Sequence, residues 1–224
     1  MVGRWPDAAD WFGGRMSMDF MATDAGAGHS QADGSERREA QRFASLIRAA
    51  KLVGANGEFV CVIRDVSTSG ISVRTFHKLP AGALTLTLQN GDAYDLQLVR
   101  ANGNEASFTF ADTVDVEKLI VETSKYPKRQ LRVNLAHPAH VSTATQRFSA
   151  IVTNLSQQGA QVQCDAMFAI EQPVRFEARP LPDIRAKIRW RSEDVYGLAF
   201  DTTFTLREFA QQTARLQAPA LLES

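Results

Sequence analysis

From Arg42 onward, apolar and polar positions fall into short runs of alternating or continuous apolar residues, each bounded by turn residues. That pattern predicts strands over Leu46–Val53, Glu58–Asp65, Gly70–Thr75, Leu84–Gln89, Tyr94–Val99 and Ala106–Phe110. Asn56-Gly57, Asn90-Gly91 and Asn102-Gly103 stand between these runs, where Asn-Gly supplies the positive φ values of tight hairpins. The period then lengthens, and Val114–Thr123 reads as a short connecting helix with Asp112 or Asp115 near its start. A second β pattern follows over Ala139–Ser142, Phe148–Asn154, Ala160–Cys164, Val174–Ala178, Ala186–Arg191 and Gly197–Phe200. The chain closes with an amphipathic helix over Thr205–Leu216, with Leu206, Phe209 and Leu216 on one side. Residues 1–35 keep no period and are rich in Gly, Ala, Asp and Ser, so they read as a disordered tail. Many short strands with hairpin turns imply antiparallel barrels.

The two β patterns are copies of each other. Phe59-Val-Cys-Val-Ile-Arg-Asp65-Val-Ser67-Thr-Ser-Gly70 matches Phe148-Ser-Ala-Ile-Val-Thr-Asn154-Leu-Ser156-Gln-Gln-Gly159. Upstream, Arg38-Glu-Ala-Gln-Arg42 matches Lys128-Arg-Gln-Leu-Arg132, and the gap to the acid or amide is 65 − 42 = 23 residues in one copy and 154 − 132 = 22 in the other. Two motifs recurring in order at nearly equal gaps mark a duplicated domain. The implied division is a tail over 1–35, a first barrel over 36–112, a helical connector over 113–125, a second barrel over 126–203 and a C-terminal helix and tail over 204–224.

Composition narrows the function. The chain has 224 residues, 44% of them apolar, enough for two cores. Lys plus Arg and Asp plus Glu number 25 each, so the chain lacks the basic excess that holding long nucleic acid by its phosphates requires. A small anionic ligand needs only a local cation cluster and stays allowed. Cys61 and Cys164 are too few for a disulfide framework or a zinc site and read as buried thiols of a reducing compartment. No apolar run reaches the length of a bilayer span, and no secretory leader pattern opens the chain, which points by elimination to the cytoplasm.

The chemistry-bearing residues cluster in the repeated motifs. Arg38 and Arg42 offer planar forks, each able to hold two acceptors such as guanine O6 and N7 or two phosphate oxygens. Asp65 can accept from guanine N1–H and N2–H, Ser67 adds a hydroxyl, and Gly70 allows a tight turn and close approach. Arg38-x-x-x-Arg42 followed by Asp65-x-Ser67-x-x-Gly70 resembles the paired signature of PilZ domains. The resemblance implies a mainly β chain of two tandem six-stranded antiparallel barrels, with cyclic di-GMP as the ligand. It also implies that Arg38 and Arg42 contact guanine edges and phosphates, Arg37 a further phosphate, and Asp65, Ser67 and Gly70 the opposing wall. In the second copy Lys128 stands where the first Arg belongs and Asn154 where the Asp does, while Arg132, Ser156 and Gly159 are kept. Lys cannot make the bidentate fork, and losing one such contact costs about 1–3 kcal/mol, so the second site is expected to bind weakly or not at all.

The remaining features read as structural. A strand tryptophan such as Trp190 is expected in a core, and His137 and His140 lack the further ligands a metal site needs. Gly26-Ala-Gly28 neither follows a strand nor opens a helix, so it is no phosphate loop, and no nucleophile setting is visible. The reading is a non-enzymatic receptor with no cofactor, acting on an unidentified protein partner. A nucleotide-free protein adaptor is the rival, and a flavin-binding barrel enzyme a more remote one.

Overall fold

The computed structural model describes residues 47–120 and 130–223. The tail expected over 1–35 and the last part of the expected connector therefore lie outside the described residues. The first six strands are β1 (Arg48–Gly54), β2 (Gly57–Val66), β3 (Gly70–Thr75), β4 (Leu84–Thr87), β5 (Ala93–Asn102) and β6 (Glu105–Phe110). They close into an antiparallel barrel in the order β1-β2-β3-β6-β5-β4. After the short helix α1 (Val116–Ile120) come β7 (Arg132–Ser142), β8 (Arg147–Ser156), β9 (Gly159–Gln163), β10 (Pro173–Glu177), β11 (Ile184–Ser192) and β12 (Val195–Phe200). These close in the order β7-β8-β9-β12-β11-β10, the same topology a second time. The chain then forms helix α2 (Leu206–Gln217) and a 3-10 turn at Pro219–Leu222.

Alternation places the cores. Ala50, Leu52, Cys61, Ile63, Ile71, Val73, Leu86 and Phe108 fill the first barrel, and Val116 and Leu119 of α1 join them. Arg48 holds the open carbonyls at the end of α1, donating to Leu119 O at 2.5 Å and Ile120 O at 2.7 Å. Val133, Val141, Val152, Val162, Phe176, Ile188 and Leu198 fill the second barrel with Phe209 and Ala210 of α2. A Thr205–Glu208 capping box starts α2. In the hairpin turns, Gly91 and Gly103 take φ of 97° and 57°, the conformation Asn-Gly was expected to supply.

The first strand of the second barrel is longer than the Ala139–Ser142 expected, beginning at Arg132. Its pairing with β8 shifts by one residue between Asn134 and His137. The inward phase is kept across the shift: Val133, Ala139 and Val141 are buried, with Leu135 and His137 half-buried between them. With Pro138 inside the run, the sequence pattern stops short of the real strand.

The two barrels share a boundary. Val60 of β2 points out of its own barrel, is fully buried, and packs in the second core. Beside it, Glu58 is held on three sides. Lys51 Nζ lies 2.7 Å from Glu58 Oε2, and Asn134 donates from its backbone N at 2.7 Å and its Nδ2 at 3.0 Å. Gln217 of α2 pairs with the Glu58 backbone like an added strand, accepting from N at 3.0 Å and donating to O at 2.8 Å.

Candidate functional site

Asp65 reaches the outside of the first barrel because β2 bulges. Cys61 and Ile63 face inward, and strict alternation would turn residue 65 inward as well. The register with β3 shifts between Ile63 and Asp65, which exposes Asp65 and returns Val66 to the core. The second barrel repeats the device, with a shift between Val152 and Asn154 and with Leu155 fully buried.

Ser67 and Gly70 build the turn that ends β2. Ser67 N donates to Gly70 O at 2.8 Å, and Gly70 N donates to Ser67 Oγ at 3.1 Å. A Cβ on Gly70 would come within 2.6 Å of Phe108 O, so glycine is required here by the neighbouring strand β6. Ser156 and Gly159 form the matching turn, with Ser156 Oγ donating to Gly159 O at 3.1 Å. A Cβ on Gly159 would collide with Leu198 O.

The strands then carry Asp65 into a row. Asp65 stands opposite Ser72, Ser72 opposite Ser107, and Ser107 opposite Arg100, crossing β2, β3, β6 and β5. With strands about 4.8 Å apart, the row is about 14 Å long. It floors an open groove of about 600 Å³ whose lining includes Asp65, Ser67, Gly70, Ser72, Arg100 and Ser107. Ser72 Oγ donates to Asp65 Oδ2 at 3.1 Å, and no described residue bonds Asp65 Oδ1. Small serines in the middle leave the groove empty, with a carboxylate at one end and a guanidinium at the other.

The equivalent row of the second barrel runs Asn154, Gln161, Gly197, Trp190. Its polar groups satisfy one another. Arg132 NH1 donates to Asn154 Oδ1 at 3.3 Å, and Asn154 Nδ2 donates to Gln161 Oε1 at 2.9 Å. Trp190 is 38% exposed on the barrel exterior, contrary to its expected place in a core. A Cβ on Gly197 would overlap the indole, so the ring lies directly over that glycine. Gln161 and Trp190 thus occupy the places where the first barrel has Ser72 and open space above Ser107.

Of the residues singled out from sequence, Asp65, Ser67 and Gly70 come together on one groove, and Arg132, Asn154, Ser156 and Gly159 on its counterpart. Arg37, Arg38, Arg42 and Lys128 lie outside the described residues. Sequence reasoning missed Ser72, Ser107 and Arg100. The hairpin registers could have found two of the three links, since the turn at Ser67–Gly70 sets Asp65 opposite Ser72 and Asn102-Gly103 sets Arg100 opposite Ser107. The link between Ser72 and Ser107 joins strands far apart in sequence and has no local signal.

The family model described as PilZ domain matches residues 126–216, which takes in the second barrel and nearly all of α2. The chain carries a PilZ domain. The first barrel repeats the strand order of this PilZ domain, two of its bulges and its Ser-x-x-Gly turn. No curated protein matches the chain. Among solved structures the chain is similar to Borreliella burgdorferi PlzA in complex with c-di-GMP, at 12% identity and a TM-score of 0.32, covering 83% of this chain and 96% of that one. It is also similar to the Bacillus subtilis inhibitor of motility MotI/DgrA, at 12% identity and a TM-score of 0.35, covering 78% and 97%. A third likeness is to Escherichia coli YcgR in complex with c-di-GMP, at 12% identity and a TM-score of 0.31, covering 77% and 84%. No helix among the described residues is long and apolar enough to cross a membrane.

Proposed function

We propose that the first barrel is a receptor for cyclic di-GMP, working in the cytoplasm without catalysis, and that the second barrel is a degenerate copy serving the output. The observation that carries the reading is the open groove with Asp65 turned into it. Its volume of about 600 Å³ is of the size ligand sites use, and one carboxylate oxygen is left for guanine N1–H and N2–H. Adenine presents an acceptor at N1, which the carboxylate would repel. Arg38 and Arg42, with Arg37, supply the cations that a diphosphodiester needs and the groove's acidic end lacks.

Occupancy can reach the second barrel along β2. That strand carries Asp65 at one end and Glu58 and Val60, the contacts to Asn134, α2 and the second core, about 20 Å away. Ligand that ties the Arg38–Arg42 segment to Asp65 favours one arrangement of this strand, and the surface offered to a partner protein changes with it.

The test is isothermal titration of cyclic di-GMP into wild type, Arg38→Ala/Arg42→Ala and Lys128→Ala. Binding in the micromolar range or tighter, lost in the arginine double variant and kept in Lys128→Ala, is the expected result. No heat and no thermal shift with wild type at high ligand refutes the receptor and leaves the protein adaptor as the reading.

A further inference from the structure

Arg100 is the far end of the row that begins at Asp65, and nothing in the repeated motifs points to it. It stands just after a second bulge, where the pairing of β5 with β6 shifts between Leu98 and Arg100. The second barrel has the same shift between Ile188 and Trp190, so Arg100 and Trp190 are equivalent positions. The bulge is therefore built into the domain, and what differs is the side chain it presents. Arg100 is exposed, lines the groove, and makes no hydrogen bond or ion pair with any described residue. A guanidinium with no partner among the described residues, beside an open groove and about 14 Å from the Asp65 carboxylate, is placed for the remote half of a two-headed ligand.

We propose that Arg100 is a third ligand-facing arginine of the first barrel, gripping the half of the cyclic dinucleotide that Asp65 does not reach. This rests on the receptor reading above. Its planar fork takes two acceptors at once, the O6 and N7 of the second guanine. The row sets the division of labour: Asp65 meets the donor edge of one base, Ser72 and Ser107 keep the floor low, and Arg100 meets the acceptor edge of the other. In the second barrel the same position holds Trp190 folded onto Gly197, which removes the fork and covers the floor.

Titration of cyclic di-GMP into wild type, Asp65→Ala, Arg100→Ala and Arg100→Lys, with the thermal midpoint of each unliganded protein as a folding check, tests this. Arg100 is exposed and has no partner among the described residues, so the unliganded midpoints of its variants should equal that of wild type. Arg100→Ala is expected to bind about 10- to 100-fold more weakly, and Arg100→Lys to recover little of the loss. If wild type binds and Asp65→Ala loses it while Arg100→Ala stays within about twofold of wild type, the Arg100 proposal is wrong and the receptor stands. If wild type does not bind, the receptor reading falls and the Arg100 proposal falls with it.

Discussion

The outward faces of β2 and β8 occupy the same place in two copies of one barrel and have opposite fates. On β2 the outward residues Glu58, Val60 and Val62 are covered, with Val60 fully buried. On β8 the equivalents are Arg147, Ser149 and Ile151, all exposed. Lys51 and Glu58 make an ion pair in the first barrel, whereas His140 and Arg147 face each other at 3.1 Å in the second. Arg147 turns instead to Glu177 at 2.8 Å, whose carboxyl is held below its usual range first by the hydroxyl of Ser142 and then by Arg147. The copies keep their inward residues alike because each must close a barrel. They diverge outward because, among the described residues, helix α2 packs on the face of β2 and not on that of β8. The same logic separates the two rows: serines leave one groove open, and Gln161 and Trp190 occupy the other.

The sharpest way to break the comparison is to put the same charge on both faces. Val60→Asp buries a carboxylate with no partner and should cost about 4 kcal/mol or prevent folding, whereas Ser149→Asp should stay within about 0.5 kcal/mol of wild type. Urea unfolding of both variants measures it, and equal losses would mean that the β2 face is not buried as described. A milder cut is Gln217→Ala, which removes both bonds between α2 and the Glu58 backbone. The expected loss is about 1–2 kcal/mol, read by the same method.

The smallest effect concerns His77, which packs edge-on against Phe59 with ring centroids 5.3 Å apart. Its Nδ1 lies 2.7 Å from the Lys78 carbonyl and must be the donor, since a carbonyl only accepts. Nε2 is then an unprotonated, buried atom with no partner among the described residues. Burial lowers the imidazole pKa from its ordinary 6.5, against the smaller opposing effect of the Lys78 carbonyl. The folded chain thus binds this proton less readily than the unfolded chain. The stabilising contribution is complete above pH 6.5 and fades as pH falls through the lower folded-state value. Denaturation midpoints measured across this range should fall less steeply for His77→Phe than for wild type, and parallel slopes would show that His77 does not titrate there.

Much of this molecule is legible in its sequence. The duplication, the strand runs, the Asn-Gly turns and the terminal helix follow from alternation and turn chemistry, which act between residues a few positions apart. Asp65, Ser67 and Gly70 stood out for the same reason, as a turn motif seen twice. Where the inward phase resets, as around Ile63–Asp65 and Val152–Asn154, local pattern failed, because a bulge is stabilised by the partner strand's register and leaves no period of its own.

Tertiary structure alone decided the rest. Glu58 meets Asn134 and Gln217 across 76 and 159 residues, and such contacts depend on how two finished barrels pack. Ser72 meets Ser107 only once β3 and β6 close the first barrel. Trp190 lies outside its barrel because the bulge before it turns it there and Gly197 leaves room for the ring. Residue type and spacing determine which segments become strands and turns; which outer faces are covered, and which groove stays open, depends on closure and packing between segments that the local pattern cannot relate.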